Sequence, residues 1–235
     1  MTDRRGTNAI ALTIAVLVFA NVMANRVLTA WATVPWNLAT AIVLLVIARR
    51  VGVSAADLGL DRVARVRGWR VGRWFALATF VVMAIGLLLP TTRELFEDGR
   101  IRSLSWIEVA YHAAIAVPLG TVLLEEVAFR GVVPALFAPR LTRLRSNVAA
   151  SMLFGLWHVL PAWDIYRVNP VLRDVLHGTG GRVVGVTVGA VSTVGIGMLW
   201  CWLRDRSGSL LTTMIVHIST NSLGYVFAFI AWSIY

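Results

Sequence analysis

Apolar runs of about twenty residues, separated by short arginine-bearing connections, recur along the whole chain. A helix of ~20 residues at ~1.5 Å per residue matches the ~30 Å hydrocarbon core of a bilayer. The runs predict spans at 9–25, 34–48, 71–90, 104–137, 147–161, 183–203 and 209–234. The predicted fold class is therefore all-α, a polytopic helical membrane protein of about seven transmembrane helices. It forms a single membrane domain over 1–235, and its chemistry-bearing part lies within 104–235.

Three stretches test this reading. The fourth run is longer than one span, and Pro118 and Gly120 could kink it or split it. The apolar stretch behind Arg4 and Arg5 resembles a signal peptide, but further spans follow, so it reads as an uncleaved first helix. Residues 51–73 are amphipathic and arginine-rich, which suggests either a surface helix at the cytoplasmic interface or a basic loop.

Composition supports the membrane class. The chain is 58% hydrophobic and 14% charged, more apolar than a soluble domain of 235 residues can bury. All 22 basic residues are arginine, and the net charge is +10. With no soluble basic domain, no nucleic-acid partner is expected, and the arginines read as topology signals beside anionic lipid. With the N-terminus cytoplasmic, 14 arginines fall in inner connections and seven in outer ones, with Arg130 left inside a span. This predicts an N-in, C-out protein of a plasma membrane. Trp31, Trp36, Trp69, Trp74 and Trp106 fall near span ends, where interfacial aromatics belong. The single cysteine, Cys201, allows no intrachain disulfide and reads as a packing residue. No feature of the sequence sets an oligomeric state.

Ionisable groups within spans are expensive and mark sites of pairing or function. Glu125 and Glu126 are adjacent, hence ~100° apart around a helix. Glu126 and Arg130 are four apart and can pair on one face, which leaves Glu125 with no local cation. A carboxylate in apolar surroundings holds a proton more tightly, which suits proton transfer near neutral pH. His158 is a lone histidine in an apolar stretch, and His217 and Asn221 share one helix face in the last span. That spacing could hold a metal, polarise a carbonyl or join two helices by hydrogen bonds. Counted from the cytoplasmic span ends, Glu125, His158 and His217 lie roughly 18, 17 and 12 Å deep at ~1.5 Å per residue. Three helices thus bring Glu, His and His/Asn to a similar level. His112 and His177 lie towards the outer side and are set apart from this group, and Glu108 falls near a span end.

These residues resemble the CPBP family of intramembrane proteases, also called the CAAX protease or Abi family. The matching motifs are Glu125-Glu126-x-x-x-Arg130, Phe154-x-x-x-His158 and His217-x-x-x-Asn221, in that order. The resemblance implies an intramembrane endopeptidase in which Glu125 activates water. His158 would hold the water or a metal, and His217 and Asn221 would stabilise the oxyanion. Glu126 and Arg130 would support the site. The family is commonly classed as metalloproteases, which implies a divalent metal such as zinc on His158 and His217, with Glu126 a further candidate ligand. A metal-free glutamate mechanism would use the same residues. The implied substrate is a lipidated protein C-terminus or a bacteriocin-type peptide, and the implied location is a bacterial plasma membrane. Two other classes compete: a proton-relay transporter, and a non-catalytic immunity or scaffold protein.

Overall fold

The computed structural model describes residues 3–163 and 178–234. Seven helices of 15 residues or more appear among them: α1 (Asp3–Val22, continued by a π turn at Met23–Val27), α2 (Ala30–Arg50), α3 (Arg62–Leu88), α4 (Trp106–Phe137), α5 (Arg143–Trp157), α6 (Gly178–Ser207) and α7 (Leu210–Ile234). Six are long and apolar enough to cross a membrane, whereas α5 has 15 residues. At ~1.5 Å per residue, α5 is only ~22 Å long. The protein is an integral membrane protein.

The helix ends follow from local chemistry. Asp61 caps α3 by accepting from the amides of Val63 (2.9 Å) and Ala64 (3.0 Å). Ser105 and Glu108 form a capping box at the start of α4, and Thr142 caps α5. Gly208, at φ +65°, turns the chain from α6 into α7, in the left-handed region that other residues avoid.

Helix α4 is the axis of the fold. From Leu124 to Val133 every residue is buried, so this stretch is enclosed on all sides. Leu44 of α2, Phe154 and Trp157 of α5, Trp200 of α6 and Leu210 and Met214 of α7 join its apolar side chains in one core. Pro118 and Gly120 neither split α4 nor break it. The helix instead widens into π turns at His112–Ala116, Pro118–Val122 and Val127–Val132. Widened turns release carbonyls, and neighbouring helices capture them. Asn37 of α2 donates to the Gly120 carbonyl (2.5 Å), and Ser222 of α7 donates to the Ala113 carbonyl (2.7 Å).

Helix α3 lies along α7 through Gly68 and Gly72, one turn apart. A methyl group at Gly68 would strike Ser209 Oγ, and one at Gly72 would come within 2.8 Å of Ile215 Cδ1. Small residues at this spacing let helices approach closely in lipid. Helix α5 lies against α6 by the same means, with Gly155 set against the Ala190 carbonyl.

Two expectations change. Residues 51–73 hold no separate surface helix. Residues 51–60 are turns and loop, and the arginines from Arg62 onward sit on the first turns of α3 itself, continuous with its span. Asp61 sets that start by capping. The fifth span is Arg143–Trp157 rather than 147–161, because Thr142 caps it early and the chain turns at His158. Trp36 packs edge-on against Phe19 and donates to the Ala20 carbonyl. His177 lies outside the described residues.

Candidate active site

Glu125 and Glu126 leave the enclosed stretch of α4 in different directions and meet different partners. Glu126 is wholly buried. Its Oε1 lies 3.3 Å from Arg130 Nη1, one turn along α4, and 2.9 Å from His217 Nδ1 on α7. The Arg130 guanidinium lies over the Phe154 ring (3.9 Å to the centroid) and near Trp200 (4.9 Å). Three helices therefore hold this charge through ion pairing and cation–π contact.

Glu125 faces α5. Its Oε1 accepts the indole N–H of Trp157 at 3.0 Å. Both imidazoles also turn towards this carboxylate, with His158 Nε2 4.0 Å from Oε1 and His217 Nε2 3.7 Å from Oε2. Neither distance is a direct hydrogen bond. Glu125 Oε2 is buried and has no hydrogen-bond partner. The Glu125 and His217 side chains are 6% and 4% exposed, whereas that of His158 is 26% exposed, so the group meets its surroundings at His158.

The local fold fixes the tautomers. The His158 amide bonds to the Gly155 carbonyl (3.1 Å), which tightens the last turn of α5 and leaves the Phe154 carbonyl free. His158 Nδ1 lies 2.9 Å from that carbonyl. A carbonyl can only accept, so Nδ1 carries the proton and neutral His158 presents a lone pair at Nε2. His217 Nδ1 likewise donates to Glu126, which aims its Nε2 at Glu125. The two imidazoles thus present Nε2 to different oxygens of one carboxylate, an arrangement that a water molecule can bridge through its protons.

Asn221 is one turn beyond His217 on α7 and is partly buried. Its Oδ1 accepts from Thr220 (3.4 Å), and among the described residues its amide donates no hydrogen bond. His112 is set apart, stacked on Tyr225 at 5.0 Å. Glu108 belongs to the α4 cap, and Cys201 is buried beside Ser151 (3.8 Å). Sequence reasoning missed Trp157 and Trp200. Trp200 sits over His217 at 4.1 Å, and Trp157 is the immediate neighbour of His158 in the chain.

The donor set was weighed against a zinc ion, which needs three or four ligands at ~2.0–2.3 Å. A metal held by His158 and His217 would take Glu125 as its third ligand, because both Nε2 atoms face that carboxylate. The free carboxylate needed to act on water would then be lost. Glu126 is already engaged by Arg130 and His217. Among the described residues no group of three or more His, Cys, Asp or Glu side chains is arranged to hold a metal. The residues do not fit a zinc centre that keeps Glu125 as a base.

Neither the curated proteins nor the solved structures compared with the chain include a match. A family model described as "Type II CAAX prenyl endopeptidase Rce1-like" matches residues 106–223, from the start of α4 to the middle of α7. Every residue of the Glu125 cluster lies inside that match. An enclosed carboxylate flanked by two imidazoles, inside a bundle of apolar helices, agrees with a membrane-embedded protease of the CAAX type, and the chain belongs to the Rce1-like type II CAAX prenyl endopeptidase family.

Proposed function

We propose that the protein cleaves a peptide bond within the membrane by glutamate-activated water. Its substrate would be a lipidated protein C-terminus or a bacteriocin-type peptide, entering from the cytoplasmic side. The observation that carries this reading is the buried Glu125 carboxylate, whose Oε1 lies 4.0 Å from His158 Nε2 and accepts the Trp157 indole N–H, and whose Oε2 lies 3.7 Å from His217 Nε2.

In this mechanism the water sits between His158 Nε2 and Glu125. Glu125 takes one of its protons as the oxygen attacks the carbonyl carbon, and the Trp157 indole N–H holds the carboxylate in place. The developing oxyanion meets the Asn221 amide, and His217, held by Glu126 through its Nδ1–H, orients the site through Nε2. Glu125 then delivers its proton to the leaving amine and the C–N bond breaks. Arg130 holds Glu126 in register through their ion pair. No step passes through a metal.

The test is cleavage of fluorogenic lipidated and unlipidated peptides by the purified protein in detergent. Product from wild type, with severe loss in Glu125→Ala, His158→Ala and His217→Ala, is expected. Undiminished cleavage by Glu125→Ala would sink the mechanism.

A further inference from the structure

A cavity of about 320 Å³ lies at the arginine-rich end of the bundle, between the last turns of α4 and α6 and the first turns of α5. Three residues that line it carry buried polar atoms with no hydrogen-bond partner: Arg130 (Nε and Nη2), Ser146 (Oγ) and Arg204 (Nε). Arg130 and Ser146 are 2% and 3% exposed. Buried donors without acceptors are costly, so several converging on one cavity point to an occupant that supplies acceptors.

The acidic residues on the wall do not fill that role. Asp205 is taken by Arg143 (2.9 Å) and Asn147 (2.8 Å), and Asp57 accepts from the Ser54 amide (2.8 Å) and hydroxyl (2.7 Å). Of the three guanidinium groups in the lining, Arg143 pairs with Asp205, Arg130 contacts Glu126 through Nη1 only, and Arg204 gives Nη2 to the Asp57 carbonyl (2.9 Å), which leaves Arg130 Nε and Nη2 and Arg204 Nε without acceptors. The amino-terminal turns of α5, which supply Arg143, Ser146 and Asn147, add the positive end of a helix dipole. A phosphate oxyanion presents acceptor oxygens in the geometry a guanidinium fork prefers. A second cavity of about 590 Å³ adjoins the first, sharing Asp57, Ala135 and Ala138, and adds Val51, Val53 and Leu136. That apolar extension has the character an acyl chain needs.

We propose that this cavity binds a phosphate oxyanion, from a phospholipid headgroup or from free phosphate, on Arg130, Ser146 and Arg204. The site shares Arg130 with the proposed cleavage machinery, but its test does not use that activity.

The full-length protein in phosphate-free maltoside micelles is unfolded by heat and followed by tryptophan fluorescence. One arm adds inorganic phosphate at ionic strength matched with chloride, and the other dopes the micelles with phosphatidylglycerol. A saturable rise in Tm of about 2–4 °C is expected in at least one arm. Its appearance with inorganic phosphate identifies the free anion, and its appearance only with the lipid identifies the headgroup. The rise should vanish in Ser146→Asp, which places a carboxylate in the cavity. Arg204→Gln is the second variant, should the first not fold. No rise in either arm, or a rise retained by the folded variant, overturns the proposal.

Discussion

Trp157 and Glu125, 32 positions apart in sequence, are joined by an indole N–H that donates to Oε1 at 3.0 Å. The bond fixes one oxygen of the carboxylate and leaves the other facing His217 Nε2 at 3.7 Å. Trp157→Phe keeps the ring and removes the donor. A hydrogen bond to a charged group contributes about 1.5–3 kcal/mol, so kcat should fall roughly 10–100-fold with folding retained. Steady-state kinetics beside a thermal melt would check this, and an unchanged kcat would remove Trp157 from the mechanism.

In the proposed mechanism Asn221 offers its donors to an oxyanion that exists only during reaction. Asn221→Ala should lower kcat about 100- to 1,000-fold, with little change in KM. A rise in KM at constant kcat would make Asn221 a substrate-binding residue instead.

Arg130 is the only cation paired with fully buried Glu126 apart from what His217 supplies, among the described residues. Arg130→Gln leaves that carboxylate undercompensated, and breaking a buried pair costs about 3–5 kcal/mol. The expected result is a lower Tm in detergent together with loss of cleavage. Glu126→Gln/Arg130→Gln should recover much of the stability without the activity, because both charges are gone.

Active purified protein should contain no stoichiometric zinc, and chelators should leave cleavage unchanged. Elemental analysis of wild type and His158→Ala decides the point. One zinc per chain, lost in the variant together with activity, would replace the glutamate mechanism.

Gly68→Leu should destabilise the α3–α7 contact, because the new side chain meets Ser209 Oγ and, at 3.0 Å, Leu211 Cβ. Overpacking of this kind costs about 1–3 kcal/mol. Thermal melts should show it, with Gly195→Leu, where a Cβ meets nothing within 4 Å, as the neutral comparison.

Much of the helical plan was legible because lipid demands long apolar runs, and those runs lie in the sequence without reference to tertiary contact. The fate of Pro118 was not legible. Its outcome depends on Asn37 and Ser222 reaching carbonyls on another helix. The convergence of Glu125, His158 and His217 followed from comparing depths, since charges in a bilayer must find one another. Trp157 and Trp200 escaped notice because tryptophan is ordinary in a membrane protein, and only the fold shows which one donates to a carboxylate. His158 was placed on a helix, yet it closes one. Thr142 caps the start of α5, and the His158 amide closes its last turn on the Gly155 carbonyl.

The enclosed stretch of α4 bears on how the protein is made. Glu126 finds one partner within its own helix, but the imidazole that completes its environment belongs to α7, which the ribosome produces about ninety residues later. Until α7 arrives, the nascent bundle carries an incompletely shielded acidic group at its centre. The hydrolytic apparatus and the finished bundle are therefore assembled by the same late docking event, so a stalled or truncated chain would be both inactive and a ready target for membrane quality control.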